Sequence, residues 1–178
     1  MPNKNSGLKN IRALTLAAML TALSVVIGIF CKNFLNFGNG LFRITFENFP
    51  IILSGVLLGP AVGAAVGAVS DILSFFLSTQ SFVISPLVTL GAALVGLVSG
   101  LAFRWTEKRS AVVRTVFAVF CAHLVGSLLV KSIGVFPYYG WLILWRIPTY
   151  AVIATLETLL LCILQKHRAF DKIFRMHR

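Results

Sequence analysis

The chain has 178 residues, of which 58% are hydrophobic and only 12% charged, and its mean hydropathy is +0.91. A soluble domain carries about a quarter of its residues as charges, so the solvent here is lipid and the soluble enzyme classes fall away. The formal charge of +11 invites a nucleic-acid reading. Placement excludes it: twelve of the sixteen Lys and Arg residues stand in three clusters at the ends of apolar runs.

Lys4, Lys9 and Arg12 open the chain. A first span is predicted over about 11–31; its apolar stretch is too long for a signal-peptide core, and it reads as a retained helix. A polar outer loop follows, with Asn33, Asn36, Gly38, Asn39 and Gly40 as turn formers. The second span begins near Glu47 or Pro50 and ends at the Gly59-Pro60 break; the third covers about 61–77. Both are short, which suits tilt or a water-filled cavity. An outer loop over 78–85 leads to a fourth span over about 86–103. The basic loop with Arg104, Lys108, Arg109 and Arg114 returns the chain, and a fifth span covers about 112–130. A third outer loop over 131–140 holds Gly134, Pro137, Tyr138 and Tyr139, and a sixth span runs over about 141–164 into the basic tail. Six spans put all three basic clusters on one side, as the positive-inside rule requires. The expectation is an all-α membrane protein: one six-helix transmembrane domain over 1–178, both termini cytoplasmic, with short basic tails over about 1–10 and 165–178.

Gly55, Gly59, Gly63 and Gly67, and again Gly96 and Gly100, recur at steps of four. Such spacing lets helix backbones approach closely in lipid, and packing within this bundle is the first reading. Ala13, Ala17, Ala18 and Ala22 form a smooth strip on the first span; it packs inside or docks a partner membrane protein, and the residues alone leave both open.

The remaining cations, Lys32, Arg43, Lys131 and Arg146, fall on the outer side, where the positive-inside rule gives them no reason to be. Lys32 reads as snorkelling from its helix end. The others stand near Phe46, Tyr138, Tyr139, Trp141 and Trp145. A ring-rich rim with cations suits an anionic, partly aromatic ligand, since the fork of Arg holds a carboxylate through two hydrogen bonds. An interfacial belt of aromatics and snorkelling cations is the alternative. Two carboxylates lie within apolar helices: Asp71, for which functional and structural roles are balanced, and Glu157, read as structural with a proton relay as the minor option. Glu47 follows Arg43 by four residues and would orient it if that stretch were helical.

Several chemistries lack their residues. Cys31, Cys121 and Cys162 are odd in number and embedded in apolar runs, which reads as packing rather than redox. His123, His167 and His177 share no metal spacing, so no metal site is expected. No GxxxxGK[ST] loop occurs, so the chain does not hydrolyse ATP by that route. No nucleophile and base stand together; an enzyme is not expected, nor a cofactor.

The segment FRITFENFPIILSGVLLGPAVGAAVGAVSDIL, from Phe42 to Leu73, resembles the S components of energy-coupling factor (ECF) vitamin transporters, and most closely the folate-specific family. PLVTLGAALVGLVSGLAFRW (Pro86 to Trp105) and LWRIPTYAVIATLETLL (Leu144 to Leu160) are similar to that family too, so the likeness runs through most of the chain in order. The resemblance implies a bacterial multi-pass cell-membrane subunit that captures a vitamin on the outer face and carries it inward. It implies work alongside a transmembrane T component and two cytoplasmic ATPases, which use the ATP. It also implies docking through an AxxxA pattern on the first helix, here Ala18 to Ala22, with Ala13 to Ala17 as a second register. Folate would place its carboxylates on some of Arg43, Lys131 and Arg146. Its rings would lie on Phe46, Tyr138, Tyr139 and Trp141, and its pterin donors would meet Asp71 or Glu47. Thr89 is a polar contact by resemblance only. The chain departs from the family at Leu87 and Val88, where glycine is common. Thiamin, riboflavin or a pterin are the other vitamins considered, and a non-transport membrane scaffold is the other function class.

Overall fold

A computed structural model describes residues 4–37, 42–43, 45–78 and 86–166. Helix α1 (Lys4–Phe34) is followed by a two-residue antiparallel ribbon, β1 (Asn36–Phe37) with β2 (Phe42–Arg43), registered Asn36 to Arg43 and Phe37 to Phe42. The remaining helices are α2 (Asn48–Leu58), α3 (Pro60–Leu77), α4 (Pro86–Trp105) and α5 (Ala111–Ala122). After them come a π-helix (His123–Val130), α6 (Lys131–Tyr139), a 3-10 helix (Gly140–Trp145) and α7 (Arg146–Lys166). The helices α1, α3, α4, the continuous run Ala111–Pro137 and α7 are five segments long and apolar enough to cross a membrane.

The second predicted span differs in kind. At 11 residues, α2 rises about 16 Å, half of a hydrocarbon core of about 30 Å. It is apolar on every side and buried from Pro50 to Leu57, so neighbouring helices rather than lipid surround it. Gly59, at φ +98, makes the break predicted before α3, and Pro60 fills the first position of α3, where its missing N–H costs nothing. The glycine spacing acts at the α2, α3 and α4 crossing. A Cβ on Gly96 would strike the Gly63 carbonyl, and one on Gly63 would meet the Gly55 Cα and the Gly96 carbonyl oxygen. Three backbones therefore touch, and Ile51, Ile52, Leu57 and Val95 fill the core around them.

The predicted third outer loop is absent as a loop. The fifth span continues without a break through the π-helix into α6 as far as Tyr139, and the last helix begins at Arg146 rather than Trp141. Gly134 and Pro137 read as breakers, but in lipid the helix is what satisfies backbone polar groups, so both are carried inside α6.

Two ends of the bundle follow from contacts. Arg104 reaches the Gly59 turn. Arg114 donates to the Phe103 carbonyl at 3.3 and 3.2 Å, and its guanidinium lies 3.9 Å over the Phe103 ring. Gln165 donates to Thr115. The α2–α3 turn, the α4–α5 loop and the last turn of α7 thus share a basic end. The β ribbon and the starts of α2, α4 and α7 lie toward the opposite, polar end.

Candidate functional site

Glu47 occupies the N-cap position of α2 without using its side chain as a cap. Its carboxylate instead lies 3.7 Å from Lys131 Nζ, while Ser24 of α1 donates to its carbonyl at 2.8 Å. A Cβ on Gly28 would stand 3.0 Å from Glu47 Oε2. Gly28 is six residues before the end of α1, so Glu47 enters the bundle about 9 Å below that end. Asn48 completes the cluster: Lys131 donates to its Oδ1 at 3.3 Å, and its Nδ2 donates to Ser127 Oγ at 3.3 Å. Lys131 is only 4% exposed. A buried ion pair repays its desolvation only with further hydrogen bonds, which Asn48 supplies to Lys131.

The π-helix and the first residue of α6 carry this side of the site: His123, Ser127 and Lys131 recur at steps of four, and all three are buried. His123 Nε2 lies 2.6 Å from Glu157 Oε2, and the His123 ring stands 5.8 Å from that of Tyr150. One turn nearer the polar end, Arg146 donates to the Tyr150 hydroxyl at 2.9 Å and lies 5.2 Å over its ring. On α3 and α4, Thr89 donates to Asp71 Oδ2 at 2.7 Å, both residues half-buried.

Of the sequence-predicted residues, the structure brings together Glu47 with Lys131 and Asp71 with Thr89, while Arg146 meets Tyr150, which was not predicted. Phe46 is half-buried just ahead of Glu47. Trp141 is exposed and edge-on to Phe136 at 6.4 Å. Arg43 lies on β2, which packs against α7. The side chains of Arg43, Tyr138, Tyr139 and Trp145 lie outside the described residues, as do the predicted loop over 79–85 and the tail beyond 166.

Three expectations are corrected, and the alanine strip divides between two faces. Arg43 is on a strand, so it is not one helical turn from Glu47, and Glu47 is paired with Lys131 instead. Lys131 is the buried first residue of α6, not a loop residue. Lys32 is buried rather than snorkelling. Ala17 faces the core and Ala13 is half-buried, leaving Ala18 and Ala22 on the outward face of α1.

Asn48, Ser127, Tyr150 and the His123–Glu157 partnership were not picked out from sequence. Their signal was polarity inside apolar helices, where such groups need partners. Among the described residues, no group of three or more His, Cys, Asp or Glu is placed to hold a metal ion.

The family model described as "ECF transporter, substrate-specific component" matches residues 12–167. A search of curated proteins finds no match. One solved structure, titled "Structure and mechanism of the S component of a bacterial ECF transporter", shares 20% identity, with a TM-score of 0.64 over 88% of this chain and 95% of that one. At that identity it speaks for the fold alone, and the fold is the same helical bundle. On that match, which covers most of the chain, this chain belongs to the family of substrate-specific S components of ECF transporters.

Proposed function

We propose that the chain is the folate-capturing S component of an ECF importer in a bacterial cell membrane, with the polar end of the bundle as the vitamin site. The observation that carries this is the buried Lys131, held by Glu47 and Asn48 at the end opposite the arginine-rich one. With Arg146 and Asp71 toward the same end, that region offers cations for carboxylates and carboxylates for ring N–H donors. Folate presents both: an anionic glutamate tail and a flat, donor-rich pterin. Trp141 is exposed at this end, ready to cover a ring.

The basic clusters then lie in the cytoplasm together with both termini, and the polar end faces outward. Release inward depends on a T component and two ATPases, with Ala18 and Ala22 as the docking strip.

The test is fluorescence titration of the detergent-purified protein carrying Trp105→Phe. Trp105 is 91% exposed at the basic end and reports on nothing near the site. Saturable quenching by folate, weakened about tenfold or more by Arg146→Ala, supports the reading. Response to thiamin or riboflavin but not folate discards the substrate and keeps the class. Silence to all three removes the vitamin site.

A further inference from the structure

The proposed site does not use the most deeply buried charged residues of the bundle. Glu157 is 0% exposed and His123 is 2% exposed. Their mutual hydrogen bond leaves His123 Nδ1 and Glu157 Oε1 without a hydrogen-bond partner among the described residues. Two orphaned polar atoms in a lipid-embedded core are a standing cost that apolar side chains would avoid. Stability therefore gives no reason for the pair.

Its neighbours do. The His123 ring packs against the Tyr150 ring at 43° and 5.8 Å. Tyr150, itself 6% exposed, accepts from Arg146 Nη2 at 2.9 Å and lies beneath the guanidinium. Glu157, His123, Tyr150 and Arg146 form one continuous line from the middle of α7 to its first residue, about 16 Å along the helix. Only its last member, Arg146, is not buried. An Arg side chain has many rotamers to lose on binding, and affinity rises when that loss is taken before the ligand arrives.

We infer that His123 and Glu157 are positioning residues: they fix the Tyr150 ring, and through it hold the Arg146 guanidinium ready for the substrate's anionic group. This rests on the reading of Arg146 as an anion contact. A structural role and a positioning role part company when both residues become apolar, because replacing a buried pair by hydrophobic residues is often neutral or stabilising.

The experiment is the double variant His123→Leu/Glu157→Leu, with folate as the probe and the thermal midpoint measured alongside. The expected result is an unchanged or raised midpoint with folate bound about tenfold more weakly. In a Tyr150→Phe background, the same double change should add less than about twofold, since the hydroxyl that transmits it is gone. Unchanged affinity in a folded double variant overturns the inference. If the double variant does not fold, Glu157→Gln decides. It keeps a hydrogen bond to the ring nitrogen and should bind folate within about threefold of the parent, whereas Glu157→Ala should not; equal losses refute positioning.

A ligand-free readout separates this from the proposed function. With tyrosines carrying carbon-13 at Cζ, the Tyr150 signal, assigned by its loss in Tyr150→Phe, should move in the double-Leu variant without folate. A parent protein blind to folate would sink the functional reading while this signal still decides the positioning. A signal that stays put shows that the pair does not set the ring.

Discussion

The crossing of α2, α3 and α4 and the row where the π-helix faces α7 hold the same bundle together by different means. At the crossing, backbone lies on backbone, with Gly55, Gly63, Gly96 and Gly100 leaving no room for a Cβ. Lipid tails are as apolar as leucine, so close van der Waals contact supplies the attraction there. Along the π-helix, long side chains bridge the gap instead: Lys131 to Glu47 and Asn48, His123 to Glu157. Backbone contacts have one arrangement, whereas side-chain bridges can be exchanged for contacts to a ligand. The crossing is the frame, and in the proposed function the Lys131 contacts are the ones a substrate would exchange.

The sharpest way to break this contrast is Gly96→Leu. The atom facing a new Cβ is the Gly63 carbonyl, part of a helix backbone that cannot swing aside. Overpacking typically costs about 1–3 kcal/mol where side chains can yield, and here none is available to yield. The expected outcome is loss of the monodisperse peak in size-exclusion chromatography, or a fall in thermal midpoint larger than for any site variant. A Gly96→Leu protein as stable as the parent would show that the helices separate freely and that the crossing is no frame.

Lys131 offers the complementary change. Lys131→Met takes the cation away from the Glu47 carboxylate and the Asn48 Oδ1, and should lower both stability and folate affinity. Adding Glu47→Gln removes the charge that faced Lys131. The double variant should recover most of the thermal midpoint while binding stays at least about tenfold weaker. Recovery of both together would mean that Lys131 serves packing only, and would move the site away from it.

What the sequence disclosed follows the same division. The break at Gly59 and Pro60, the start of α4 at Pro86 and the basic loop around Arg109 were legible because each rests on local chemistry: a positive φ, a missing N–H, a charge that lipid excludes. The stretch from Lys131 to Trp145 was not. Gly134 and Pro137 carry breaker signals calibrated in water, yet the helix continues through them in lipid and ends only at Gly140, where φ is +53. The polar row is non-local. His123 and Glu157 are 34 residues apart, and Lys131 and Asn48 are 83 apart. The π-helix that carries His123 and Ser127 has no composition of its own to announce it. The shortness of α2 was legible, but which neighbours bury it was not, since those contacts come from α3 and α4.

The smallest effect on the isolated protein is expected where small residues face outward. Ala17 and Ala22 belong to the same strip in sequence, yet Ala17 sits in the core and Ala22 faces out. Ala17→Trp should therefore behave like a milder Gly96→Leu and destabilise the fold, because the indole must displace packed neighbours. Ala22→Trp meets no packed neighbour and should leave thermal midpoint and folate affinity unchanged. Its cost should appear only when the T component and ATPases are co-expressed, as loss of co-purification and of folate uptake into cells. Smooth strips permit close helix approach, and one indole holds the helices apart. Full assembly and uptake by Ala22→Trp would place docking on another face of the bundle, and α1 would then be an ordinary lipid-facing helix.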